Sequence, residues 1–146
     1  MRVVGPARLI ARDFHMRSNS NLIFDSSGGK IEMYVAEDFA LESNSRVNTL
    51  SSSALDVTLF LNGNNLTGAR PDRLELSANS SFIGAIYAPN AEFRLASNFD
   101  VYGSIMCGHL DLSSNGEIHF DEALLYDGHG ATGEMEARFW RHMPNP

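Results

Sequence analysis

Cysteine and lysine are almost absent from this sequence, which has one residue of each, Cys107 and Lys30. A single cysteine excludes an internal disulfide framework and a zinc site built from several cysteines, although it does not fix the redox compartment. Eleven basic residues less the one lysine leave ten arginines, scattered along a chain of net charge −7. Because a nucleic-acid-binding face needs clustered arginine and lysine, this charge argues against nucleic acid as a partner.

Long apolar runs are missing as well. No stretch approaches the ~20 apolar residues that a membrane-spanning helix needs, so we expect no membrane span in this chain. Met1-Arg2 is not followed by the sustained apolar segment of a signal peptide. We therefore expect either a protein that stays inside the cell or a piece of a longer protein whose export signal has been cut away.

A frame of apolar residues around an asparagine recurs six times. Apolar residues stand five and three positions before the asparagine and three positions after it, with a small residue directly before it; only Thr67 departs from this pattern. A strand–turn unit of this size cannot bury its own apolar face, so the copies must stack on one another. Steps of 15 to 25 residues separate the asparagines, which are Asn19, Asn44, Asn64, Asn79, Asn98 and Asn115.

The frame predicts an all-β fold: a single-stranded parallel, right-handed β-helix or solenoid of about six coils. We expect one domain over residues 1–146, with repeats over about 7–120 and a non-repeating C-terminal cap over 121–146. Strands of period two, such as Ile31–Val35, support this fold. Two glycines, Gly84 and Gly103, align at an offset of 19 residues and predict a second corner of the coil.

The asparagines themselves have a structural interpretation. Asparagine tolerates the left-handed backbone of a sharp corner, and stacked amides can pass hydrogen bonds from coil to coil. We therefore predict a structural asparagine ladder through all six residues. The position four before each asparagine points outward, which predicts a surface charge ladder through Glu75, Arg94 and Asp111.

One polar cluster is a candidate surface binding patch near the end of the repeats, formed by Asp100, Asp111, Glu117, His119 and Asp121. Carboxylates with a histidine can bind a metal or transfer protons. The pattern favours a solvated edge of the last coil, with a weak calcium site as the functional alternative. Cys107 falls in an inward position and is interpreted as a small buried residue. We predict no catalytic residues, no metal site and no cofactor.

Two segments resemble a known domain. Phe82–Ala91 contains a glycine followed by an "IYAP" strand, and Ile118–Leu124 is a closing motif in which Phe120 stands at the usual tyrosine; Trp140 also matches. Together they resemble an uncharacterised β-solenoid domain at the C-terminal end of PilX-like, type IV pilus-associated proteins of bacteria. The resemblance covers roughly residues 74–125. It implies a solenoid displayed outside the cell with pili or surface structures, and it brings no known catalytic residues.

The expected function is a non-enzymatic structural or adhesive interaction module of a bacterial cell-surface or type IV pilus-linked assembly. This implies an extracellular or cell-surface location. The expected partners are other protein subunits of that assembly, with a glycan as a further candidate. One alternative is a polysaccharide-binding or polysaccharide-degrading β-helix protein. A second alternative is a bactofilin-like intracellular polymer, which the missing signal peptide favours together with a cytoplasmic location.

Overall fold

The computed structural model describes residues 1–62, 72–112 and 115–121, and these residues form strands and two single-turn 3-10 helices, Ser26–Gly28 and Ala54–Asp56. All strand pairings in these ranges are parallel. The predicted all-β, parallel β-helix fold is therefore confirmed. The strands are β1 (Arg2–Val4), β2 (Ala7–Ala11), β3 (Phe14–Met16), β4 (Asn21–Asp25), β5 (Ile31–Val35), β6 (Phe39–Leu41), β7 (Arg46–Thr49), β8 (Val57–Leu61), β9 (Arg73–Leu76), β10 (Ser81–Leu95), β11 (Phe99–Leu112) and β12 (Gly116–Phe120).

Three parallel sheets form the walls of the solenoid, and the two long strands β10 and β11 bend through all of them. Sheet A stacks β1, β4, β7, the first parts of β10 and β11, and β12. Sheet B stacks β2, β5, β8 and the middle parts of the long strands. Sheet C stacks β3, β6, β9 and the ends of the long strands. Each coil therefore passes through sheets A, B and C in that order.

Asparagines occupy the corner where the chain leaves sheet C and enters sheet A of the next coil. Four of them have the left-handed backbone that this corner requires, with φ of 62° at Asn19, 59° at Asn44, 58° at Asn79 and 56° at Asn98. The Asn44 amide donates to Asn19 Oδ1 and the Asn79 amide donates to Asn44 Oδ1, each at 3.3 Å. The backbone N–H of Asn98 donates to the carbonyl oxygen of Asn115. These side-chain hydrogen bonds join Asn19, Asn44 and Asn79 without Asn64, and the continuation of the ladder to Asn98 and Asn115 stays a prediction.

One predicted frame was placed on the wrong sheet. Leu59 and Leu61 were expected to precede a corner at Asn64, but both lie on β8 in sheet B, where Leu59 pairs with Met33. Asn79 donates directly to Asn44 across 35 residues of sequence, so the corner after Asn44 is Asn79. Asn64 lies outside the described residues. The third coil therefore runs from Asn44 to Asn79 and is the longest of those described.

The core fills the space between the three sheets. The apolar positions predicted to face inward are buried at the corners of Asn44, Asn79 and Asn98. Phenylalanines are the largest side chains of the core: Phe39 stacks on Phe14 at a centroid distance of 5.2 Å and meets Phe82 edge-on at 6.1 Å. Burying each such side chain stabilises the fold by about 1.5–3 kcal/mol. The fully buried aromatic side chains are Phe24, Phe39, Phe82, Phe93 and Phe99.

The last described coil differs from this inward pattern. Leu110, Leu112 and Ile118 were predicted to point into the core, yet they are 41%, 53% and 42% exposed. The reason is that, among the described residues, no further coil packs beyond them. The predicted cap over 121–146 falls outside the described residues except for Asp121. The described part of the chain contains no helix with the length and apolar character needed to cross a membrane.

Glycine is required at the predicted second corner, between sheets A and B. Gly84 and Gly103 pair in register and have φ of 151° and 142°. A Cβ atom on Gly84 would lie 2.8 Å from the Val57 carbonyl oxygen, and one on Gly103 would collide with the Gly84 carbonyl oxygen. The coils therefore approach too closely here for any side chain.

We expect Gly103→Ala to lower the free energy of unfolding by about 3 kcal/mol or more, because it adds both backbone strain and a backbone collision. Urea unfolding followed by circular dichroism measures the change. The neighbouring Ser104→Ala is the control, with an expected change within about 0.5 kcal/mol. Equal stability of the two variants would contradict the requirement for glycine.

The asparagine corner gives a second test, at Asn79. Asn79→Ala should lower the free energy of unfolding by about 1–2 kcal/mol, because alanine disfavours the left-handed backbone and removes the amide. Asn79→Gly keeps the backbone freedom and loses only the amide, so its loss should be smaller. Thermal and urea unfolding of the two variants separate these contributions. A glycine variant that is less stable than the alanine variant would show that backbone conformation is not the controlling factor.

Candidate functional site

The three outer faces of the solenoid differ in chemistry. The outer face of sheet C is charged, and its predicted ladder of Glu75, Arg94 and Asp111 lies in register. The Arg94 guanidinium donates to Glu92 Oε1 at 3.0 Å within its own strand. This hydrogen bond, with the charges of Glu92, Asp111 and Glu75, raises the pKa of Arg94. The outer face of sheet C therefore presents paired charges to solvent, which is typical of a solvated surface.

The predicted surface patch is divided between two faces. Asp100, Glu117 and His119 come together on sheet A, where one ligand atom from each lies within 4.8 Å of the others. Asp111 lies on sheet C beside Arg94. Asp121 follows β12, and its backbone N–H donates to the Gly103 carbonyl oxygen at 3.2 Å. The structure thus brings together three of the five predicted residues.

The sheet A cluster already has internal partners. His119 Nε2 lies 2.9 Å from Glu117 Oε2, and the His119 ring stacks on Tyr102 with centroids 4.5 Å apart and planes 5° apart. Glu117 is largely exposed, with 71% of its side chain accessible. Exposed acidic groups commonly lie this close together without an ion. The distances would allow the three residues to hold a cation, and a weak calcium site at this cluster stays a prediction.

A polar groove of about 560 Å³ runs along the same face of sheet A. Its lining combines corner amides, carboxylates and one arginine, all groups that hydrogen-bond to hydroxyls. Tyr102 forms an aromatic edge to it. Among the residues that line the groove are Arg46, Asn48, Asn79, Asn98, Asp100 and Asn115.

The outer face of sheet B carries a feature that the sequence did not reveal. One outward position is apolar in each of its five strand segments, and the pairings place these five residues in a single line. We call this line the apolar column. Ile10, Tyr87 and Met106 are 79%, 47% and 56% exposed, while the other two are half-buried. The apolar column consists of Ile10, Tyr34, Phe60, Tyr87 and Met106.

The aromatic rings of the apolar column pack on one another. Tyr34 and Phe60 stack with centroids 4.8 Å apart and planes 13° apart, and Phe60 meets Tyr87 at 6.1 Å with planes 61° apart. Stacked rings turn their faces toward each other along the solenoid axis and present their edges to solvent. At Tyr34 and Phe60 the column therefore presents ring edges to solvent, whereas the Tyr87 ring is tilted by 61° from that of Phe60.

Beside the apolar column runs a second outward line, which we call the polar column. At one end of it, Arg8 donates to Glu32 Oε2 at 2.8 Å, and the Tyr34 hydroxyl donates to the same oxygen at 3.1 Å. Hydrogen bonds from Arg8 and Tyr34 hold the pKa of Glu32 below its usual value. The Arg8 guanidinium also lies 5.3 Å from the Tyr34 ring centroid. The polar column consists of Arg8, Glu32, Thr58, Ala85 and Ser104.

On its other side the apolar column borders a groove of about 510 Å³. One wall is formed by Tyr34, Phe60 and Tyr87, and Pro89 and Asn90 also line the groove. The pairing of β10 with β11 changes register between Ala88 and Glu92, so Pro89 and Asn90 lie in a bulge of β10. None of the described residues that line this groove is charged. The groove and column together form a continuous uncharged surface.

Cys107 belongs to the inner side of sheet B, as predicted. It is half-buried and packs against the core. Burial raises the pKa of the Cys107 thiol, which lowers the fraction of reactive thiolate.

We expect the Cys107 thiol to react with Ellman's reagent at pH 8 much more slowly in the folded protein than in 6 M guanidinium chloride. The absorbance at 412 nm measures both rates. A Met106→Cys variant in a Cys107→Ser background is the matched control, because position 106 is exposed on the opposite side of the strand. Equal rates for the native thiol and this control would contradict the inward placement.

Residues 9–126 match the family described as Domain of unknown function (DUF7305). No curated protein and no solved structure matches the chain. The family description names no pilus protein, so the PilX-like resemblance stays a prediction. Because the matched residues make up most of the sequence and include the whole apolar column, the chain belongs to the DUF7305 family.

Proposed function

We propose that this chain is a non-enzymatic interaction module of a bacterial cell-surface assembly and that it binds protein through the outer face of sheet B. The apolar column is the observation that carries the proposal. Soluble domains seldom expose apolar side chains in one continuous line, and such a line commonly marks a binding site. The PilX-like resemblance is the ground for the surface or type IV pilus-linked setting.

The solenoid suits a rigid binding platform. The side chains of Tyr34 and Phe60 are held by stacking, and their strands are held by the parallel ladders of sheet B. Little side-chain entropy is then lost when a partner binds, which favours affinity at a given contact area. Aromatic side chains are also enriched among the residues that contribute most to binding at protein interfaces.

A protein partner fits this face better than a glycan does. Sugar rings stack on exposed aromatic faces, but Tyr34 and Phe60 each turn one face to the other, and the Arg8 guanidinium lies over the Tyr34 ring. The adjoining groove has no charged lining residue among those described and is mainly apolar in character. Apolar side chains of another protein would be buried in both features.

A glycan is the second candidate ligand, at the polar groove of sheet A. The observation that favours it is the combination of several corner amides with Asp100 and Arg46 along one open groove. Such groups recognise hydroxyls by hydrogen bonds. A glycan array with the purified protein tests this candidate, and Asp100→Ala should abolish any signal that arises from this groove.

Site-specific photocrosslinking tests the protein-binding function in the bacterium that makes the protein. A benzoylphenylalanine introduced at Tyr87 in sheet B should crosslink to protein, because this position is in the proposed interface. The same probe at His15, exposed on sheet C, is the matched control and should not crosslink. Cell fractionation of the same samples tests the surface location. Absence of any sheet B crosslink, or release of uronides from pectin or alginate by the purified chain, would contradict the proposal.

A further inference from the structure

We propose that the partner of sheet B is a second copy of this chain, docked face to face about a two-fold axis that runs along β8. The solenoid axes of the two copies are then antiparallel. This inference rests on the proposed function, because it names the protein that the apolar column binds. In such a pair each strand of sheet B faces a strand of the other copy at the same distance from the axis. Strand β8 then faces itself, β5 faces β10, and β2 faces β11.

The apolar column has the symmetry that this arrangement needs. Phe60 stands at its centre, a tyrosine stands on each side, and the two ends are the aliphatic Ile10 and Met106. The two-fold axis places Phe60 against Phe60, Tyr34 against Tyr87, and Ile10 against Met106 of the other copy. Each side chain meets one of similar size and polarity, which is the condition for a self-complementary interface.

The polar column is complementary in size under the same operation. Its large charged side chains, Arg8 and Glu32, lie at one end, and its small ones, Ala85 and Ser104, lie at the other. The axis brings Arg8 opposite Ser104 and Glu32 opposite Ala85, so a long side chain meets a short one. Thr58 meets its own copy at the centre.

Charge also favours this face for self-association. The chain has a net charge of −7, which would repel a second copy approaching most surfaces. In the strand segments of sheet B, Arg8 and Glu32 are the charged residues, and they form an ion pair with an N–O distance of 2.8 Å. Two copies can therefore meet through sheet B without bringing unpaired like charges together.

The size of the face predicts a weak dimer. Five rungs at the ~4.8 Å strand spacing make the column about 19 Å long, and five-residue strands at ~3.3 Å per residue make the sheet about 17 Å wide. The face area, about 320 Å² per copy, is smaller than the ~800 Å² per partner of a standard stable interface. We expect a dissociation constant on the order of 100 μM.

Sedimentation equilibrium of the full chain between 5 μM and 1 mM measures the self-association. The wild-type protein should change from monomer to dimer across this range. Tyr34→Lys and Tyr87→Glu should each raise the dissociation constant at least about tenfold, because each places a charge against an apolar side chain. The control His15→Glu on sheet C adds negative charge outside the interface and should leave the dissociation constant within about threefold of wild type.

The double variant Tyr34→Lys/Tyr87→Glu tests the antiparallel geometry. In the proposed pair the introduced lysine of one copy faces the introduced glutamate of the other, at two symmetric places, so dimerisation should return. Within one copy these positions are two coils apart, about 10 Å. A parallel arrangement would instead place lysine against lysine and glutamate against glutamate.

Three results would overturn the inference. They are a wild-type protein that stays monomeric at 1 mM, a dimer that neither single variant weakens, and a double variant that remains as monomeric as the singles. Circular dichroism of each variant confirms that it is folded before it is scored. The proposed function survives any of these results if the probe at Tyr87 crosslinks to a different protein, and it fails separately if the probe crosslinks to none.

Discussion

Parallel pairing in register between successive coils is the constraint on which the rest of this structure depends. A residue in one coil lies directly over its counterpart in the next, so burial, charge and shape repeat along columns. The left-handed corners at the asparagines return the chain to sheet A in this register. The close approach of Gly84 and Gly103 has the same effect at the next corner. Core, charged face and apolar column are three results of one repeated geometry.

The fold could be predicted because its two requirements, a buried inner face and a left-handed corner, each produce a recognisable sequence pattern. Inward positions are apolar at fixed distances from the corner, and the corner prefers asparagine because few other residues tolerate a positive φ. The misplaced frame at Leu59 shows the limit. Strand β8 has apolar residues at the alternate positions Val57, Leu59 and Leu61, just as the strands before a corner do, and Gly63-Asn64 follows it. Periodicity identifies a strand, but only pairing identifies its sheet.

The candidate surface was much harder to predict. Glu117 and His119 stand two positions apart on one strand, and the repeat offset adds Asp100, so this part of the patch could be found. Asp111 lies one corner earlier and belongs to another sheet. The apolar column has no signal of its own, because its members alternate with buried apolar residues and make the strands of sheet B look buried on both sides. Only the pairing of Tyr34, Phe60 and Tyr87 reveals a line on the surface.

The direction of the ladder hydrogen bonds has a mechanical consequence. These bonds join one coil to the next and therefore run along the solenoid axis, so a pulling force on the two ends would stretch them lengthwise. The coil boundaries lie in series, so each carries the same force and the weakest boundary would open first. At each boundary, however, the ladders of sheets A, B and C share the load and must break together. Tension along the solenoid would thus be resisted one whole coil at a time.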